Sequence, residues 1–109
     1  MIVRVVTARV GSERAAAFNS KLRQQLPILR EQPGLVYVKL ARQAREEDEV
    51  VLLFEEWRDT ASLYGWAGPQ INRPRFLPGT EDLLEEVSVE HFEALDIDLD
   101  ESGAIAEGT

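Results

Sequence analysis

The chain has 109 residues, enough for one domain with a core of its own. It has no cysteine, which excludes disulfides, thiolate nucleophiles and zinc–thiolate sites. Net charge is −8, and nothing forms the basic patch that nucleic acid would need, so no nucleic-acid partner is expected.

The acids are unevenly spread. Twenty acids face 12 bases, and five of the acids (Asp96, Asp98, Asp100, Glu101 and Glu107) lie in residues 96–109, which hold no base. The rest of the chain therefore carries 15 acids against 12 bases. Two units follow: a folded domain over 1–95 and an acidic, flexible tail over 96–109. Asp96, Asp98, Asp100 and Glu107 fall at calcium-loop spacing, but the sharp-turn glycine is replaced by Glu101, so no metal site is expected. No apolar run approaches the ~20 residues of a membrane span. The first residues show no charged-then-apolar leader pattern, so the expected location is the cytoplasm, with no membrane partner.

Residues 2–10, IVRVVTARV, read as a strand that is largely apolar on both faces, with Arg4 near an edge. Gly11-Ser12 supplies a turn and a cap. Residues 13–31 read as a helix, with Ala15, Phe18, Leu22, Leu26 and Leu29 as its apolar stripe. Pro27 inside that pattern predicts a kink or a restart near Leu26. Pro33-Gly34 ends the helix, and residues 35–40 form a second strand. Residues 41–48 are charged and read as a hairpin connection.

Residues 50–54, VVLLF, form an unbroken apolar strand. A one-sided antiparallel strand would alternate, so both faces of this one should be covered. Asp59 is a strong N-cap for a short helix that Gly68-Pro69 stops. Ser62 and Trp66 stand one turn apart on it. By position alone, Trp66 suits a core at least as well as a site. Residues 68–80 hold three prolines together with Asn72, Arg73, Arg75 and Phe76. This segment reads either as a stiffened surface loop or as a lid that offers an arginine to a carboxylate or phenolate. Residues 83–95 form the last strand, with Val87, Val89 and His91 on one face.

The order strand, helix, strand, strand, helix, strand is the ferredoxin-like split βαβ pattern, an α+β fold. It predicts a four-stranded antiparallel sheet with both helices on one face. The second apolar face should then pack on another copy of the chain.

Pro33-Gly34, the run FEEWRD at 54–59 and the run ASLYGW at 61–66 resemble the antibiotic biosynthesis monooxygenase family of the dimeric α/β-barrel superfamily. The resemblance covers about residues 2–95. It implies a homodimer with facing sheets and a pocket in each protomer between sheet and helices. It also implies oxidation of a phenolic, anthrone or quinol compound by O₂ without metal, flavin or other cofactor. Trp66 matches the family's pocket tryptophan, and Ser62 stands where some members have asparagine. The haem-degrading branch matches less well, since Thr7 and Phe76 occupy its asparagine and axial-histidine places.

Such chemistry needs a base, and His91 is the chain's one histidine. The expected catalytic residues are therefore Trp66 and His91. Thr7, Tyr37, Phe54, Ser62, Asn72, Arg73 and Phe76 are the expected substrate contacts. The alternative is a non-catalytic dimeric module that binds a small aromatic molecule in the same pocket.

Overall fold

A computed structural model describes residues 1–95; the expected acidic tail and its calcium-like spacing lie outside the described residues. Four strands alternate with two helices: β1 (Ile2–Gly11), α1 (Ala15–Arg30), β2 (Leu35–Ala44), β3 (Asp48–Trp57), α2 (Thr60–Ala67) and β4 (Leu84–Glu93). The sheet order is β2-β3-β1-β4, and every pairing is antiparallel. This is the ferredoxin-like arrangement expected.

β1 and β3 occupy the centre because they have apolar side chains on both faces. On one face Val6, Ala8, Val10, Val51, Leu53 and Trp57 are buried against the helices. α1 contributes Phe18, Leu22 and Leu29 to this layer, and α2 contributes Leu63 and Trp66. Burying each large side chain is worth roughly 1.5–3 kcal/mol, so these residues dominate the stability of the layer. The opposite face carries Val3, Val5, Thr7, Val50, Leu52 and Phe54, all half-buried, and it has no helix over it. Among the described residues, no helix is long and apolar enough to cross a membrane.

Several details depart from the sequence reading. Arg4 is not near an edge: it sits on a central strand and is fully buried. Ser12 does not cap α1; it begins a 3-10 turn, Ser12–Arg14, that leads into the helix. α1 runs through Pro27 to Arg30 without a restart. β2 extends to Ala44, because Arg45 and Asp48 close the turn with a two-point ion pair at 2.6 and 2.8 Å. The buried stripe of α1 includes Gln25, whereas Leu26 is only half-buried.

At α2 the reading holds. Asp59 accepts a hydrogen bond from the Ser62 backbone N–H at 2.8 Å. Gly68 ends the helix at φ +77°, a conformation that glycine adopts without steric cost.

Candidate functional site

One rung of the sheet gathers the buried charge. Arg4 on β1 pairs in register with Glu55 on β3 and with His91 on β4. All three side chains face the helix layer. Arg4 and Glu55 are 0% and 2% exposed, and Arg4 Nε lies 3.6 Å from Glu55 Oε1. Glu55 Oε1 also accepts from Trp57 Nε1 at 3.0 Å. Burial pushes the Glu55 carboxyl up to about 7, although the Trp57 bond and Arg4 oppose the rise. Burial also lowers the Arg4 guanidinium from its usual value, while Glu55 holds it up. Desolvating two ions costs several kcal/mol each, so this pair is an expensive feature for a small core.

Arg4 Nη1 contacts His91 Nε2 at 2.9 Å. A guanidinium only donates, so Nε2 accepts and the ring proton sits on Nδ1. Burial first, and then Arg4, push His91 below its usual value. His91 is thus a neutral imidazole whose Nε2 lone pair is already engaged.

Both Nη groups of Arg4 also face the segment between α2 and β4. Nη1 donates to Ile71 O at 2.5 Å, and Nη2 donates to Arg73 O at 2.7 Å. From the far side, buried Gln25 donates to Arg75 O at 2.9 Å and accepts from Leu77 N–H at 3.1 Å. Two buried polar side chains therefore hold this segment down at four points.

Trp66 lies beneath it. The Arg75 guanidinium sits 4.4 Å from the centre of the Trp66 ring, a cation–π contact, and also donates to Trp66 O. Phe76 meets Phe18 edge-on at 5.9 Å. Gln25, Ile28, Trp66, Arg75, Phe76, Leu77 and Pro78 line a cleft of about 200 Å³. Ligand pockets commonly start near ~300 Å³, so this cleft has room for a single small ring. Among the described residues, no carboxylate lies within ion-pair distance of Arg75.

The expected site residues fall in four places. Trp66 and Phe76 come together at this cleft, and His91 joins Arg4 in the buried rung, which does not line it. Asn72 and Arg73 are exposed on the covering segment, with the Arg73 guanidinium turned to Gln70 Oε1 at 3.3 Å. Thr7, Tyr37 and Phe54 lie on the other side of the sheet. There Tyr37 and Phe54, with Val3, Lys39, Ala41 and Glu56, border a recess of about 370 Å³. The fold therefore does not place Tyr37 and Thr7 in a pocket with Trp66: their strand positions have opposite parity to the helix-facing ones.

Ser62 also stands apart. It packs on Gly34, where an added Cβ would come within 2.1 Å of Ser62 Oγ. It borders a surface groove with Gln32, Pro33, Ala61 and Gly65. Among the described residues, no three His, Asp or Glu side chains are grouped to hold a metal ion.

Arg4, Glu55 and Gln25 escaped the sequence reading. The signal was parity. Arg4 shares its strand face with Val6, Ala8 and Val10; Glu55 shares its face with Val51, Leu53 and Trp57; and Gln25 is on the stripe of Leu22 and Leu29.

The sequence model of the antibiotic biosynthesis monooxygenase family matches residues 1–69. The chain belongs to that family. Solved structures share its fold. An antibiotic biosynthesis monooxygenase superposes with a TM-score of 0.70 at 18% identity, covering 88% of this chain and 100% of the other. The PA3566 protein of Pseudomonas aeruginosa gives 0.67 at 21% identity, covering 87% and 94%. Rv0793 of Mycobacterium tuberculosis gives 0.66 at 22%, covering 88% and 97%. At these identities the likeness is one of fold. No curated protein matches the chain in sequence. The family match covers β1 to the end of α2, and so includes Arg4, Glu55 and Trp66 but neither Arg75 nor His91.

Proposed function

We propose that the chain is a cofactor-independent monooxygenase that oxidises a small phenolic, anthrone or quinol compound with O₂. The observation that carries this reading is the cleft where Arg75 lies over Trp66, within a chain of the antibiotic biosynthesis monooxygenase family. An aromatic ring fits the Trp66 and Phe76 walls, and Arg75 offers donors to an anionic oxygen.

The reaction needs a proton acceptor that is active near neutrality. Glu55 is raised to about 7 and His91 Nε2 is held by Arg4, but neither lines the cleft, so the reading favours a substrate acidic enough to ionise near neutrality by itself. Removing a proton from the substrate gives an electron-rich anion. The anion passes one electron to O₂, and the two radicals join through a new C–O bond as a peroxide. Loss of water leaves a carbonyl. One oxygen atom ends in the product and one in water, and the substrate supplies all the electrons. A site with little water protects the anion and the radical pair.

The same reading includes a homodimer through the uncovered sheet face, where Tyr37 and Phe92 are 49% and 51% exposed. A contiguous apolar face of this kind is a liability in a monomer and suits a two-fold interface.

The test is oxygen uptake by purified, metal-free protein with hydroquinones, anthrones and naphthols. Uptake above the uncatalysed rate should fall at least tenfold in Trp66→Phe, about the 1.4 kcal/mol of a lost ring contact. Uptake that survives that change would remove Trp66 from the reaction. Saturable binding without uptake across the panel would favour a non-catalytic binding module.

A further inference from the structure

The cleft over Trp66 is too small for a fused-ring substrate as it stands. Its roof is the segment between α2 and β4, and four features of that segment point the same way. First, it is bracketed by Gly68 at φ +77° and Gly79 at φ +85°. A Cβ at either position would meet nothing within 4 Å, so backbone conformation, not crowding, calls for glycine there. Second, Pro69, Pro74 and Pro78 stiffen the stretch between those glycines. Third, the clasp is polar: Arg4 and Gln25 hold the backbone at Ile71, Arg73, Arg75 and Leu77.

Fourth, the closed arrangement is imperfectly satisfied. Among the described residues, the buried side-chain polar atoms without a hydrogen-bond partner are Arg4 Nε and Thr80 Oγ1. Unsatisfied buried polar groups are rare in folded proteins; here one belongs to the arginine that clasps the strap, with its Nε 3.6 Å from Glu55 Oε1, and the other to the residue that follows Gly79. Opening would free the Arg4 Nη groups from the strap carbonyls and let water reach that side chain. The closed state therefore gains from packing Ile71 and Phe76 and from the four clasp bonds, and loses at these polar atoms; opening breaks those contacts but none of the sheet ladder.

We infer that residues 69–78 form a hinged strap, turning on Gly68 and Gly79, that must lift its clasps on Arg4 and Gln25 to admit an aromatic compound to Trp66. This rests on the aromatic-substrate reading above, but its test needs no substrate. A chain without oxygenase activity would still show whether the strap opens.

The experiment is amide hydrogen exchange of the full chain, followed residue by residue by NMR, beside acrylamide quenching of tryptophan emission. The Leu77 amide, held by Gln25, should exchange roughly a hundredfold faster than the paired amides of β1 and β3, through an opening that leaves the sheet intact. In Gln25→Leu the Leu77 rate should rise roughly tenfold more, and quenching of Trp66 should increase, while β1 and β3 rates stay within about threefold. Leu77 exchange at the rate of the sheet amides, or quenching identical in Gln25→Leu and the natural chain, overturns the strap. If Gln25→Leu does not fold, the exchange pattern of the natural chain decides alone.

Discussion

Glu55 keeps its proton at a pH where a surface glutamate has lost it, and that has a measurable sign. Its usual value is 4.5 and in the fold it is about 7. Between those values the folded chain holds a proton that the unfolded chain has released. The contribution of Glu55 to stability is therefore full below 4.5 and lost as pH rises through 7. Glu55→Gln has no such proton to lose. The stability of the variant relative to the natural chain should climb by the order of 2–3 kcal/mol between pH 5 and pH 8, read as paired thermal melts. His91 is present in both proteins, so its own titration cancels in the difference. A difference that stays flat with pH would mean that Glu55 is hydrated in solution. The neighbouring Arg4 explains why the sequence hid this site. An arginine in an apolar strand can lie at an edge with its head in water. Only the register, with Glu55 on one side and His91 on the other, shows that three ionisable groups share a single buried rung.

Periodicity made the elements legible but not how they are fastened together. The two-residue alternation in β1 and β3 and the three-to-four spacing in α1 placed the sheet and helix layer correctly. The same spacing could not assign Gln25, because a polar side chain on an apolar stripe is normally a boundary residue. Its two partners, Arg75 O and Leu77 N–H, lie 50 and 52 residues away in the chain. Ser62 is one helical turn from Trp66, but its side chain packs on Gly34 in the turn before β2, a contact that spacing along one helix does not show. Gly34, at φ +83°, lies so close that a side chain has no room. Gly34→Ala should cost about 2–4 kcal/mol in urea unfolding, from the backbone conformation and the collision together. In a Ser62→Gly background the collision is relieved and the penalty should shrink by at least half, leaving the conformational part. Equal penalties in the two backgrounds would show that the two residues do not touch.

At the scale of the molecule, the sheet has one face under helices and one face bare. The helix-covered side holds Trp66, the strap and the buried rung; the bare side holds Thr7, Tyr37 and Phe54. If two copies meet through the bare face, light scattering should give twice the 12.3 kDa chain mass in dilute buffer. Leu52→Asp, central on that face and partnered with Thr7 and Ala41, should reduce the mass to that of one chain with the far-ultraviolet spectrum kept. A natural chain that already runs as a single copy would remove the dimer from the proposal and leave that face to another partner.

The sheet order also governs how the chain reaches this state. β1 is made first, yet its neighbours come late: Ile2 pairs with Trp57 on one side and with Glu93 on the other. Only the β2–β3 hairpin, closed at Arg45 and Asp48, joins strands that are adjacent in sequence. Distant pairings slow folding, because the loop entropy is spent before the contacts form. On the ribosome, then, the strand that becomes the spine of the sheet waits with both edges bare until β3 has emerged, and with one edge bare until nearly the whole domain has emerged. During that interval its valines are exposed to any other chain that offers an edge.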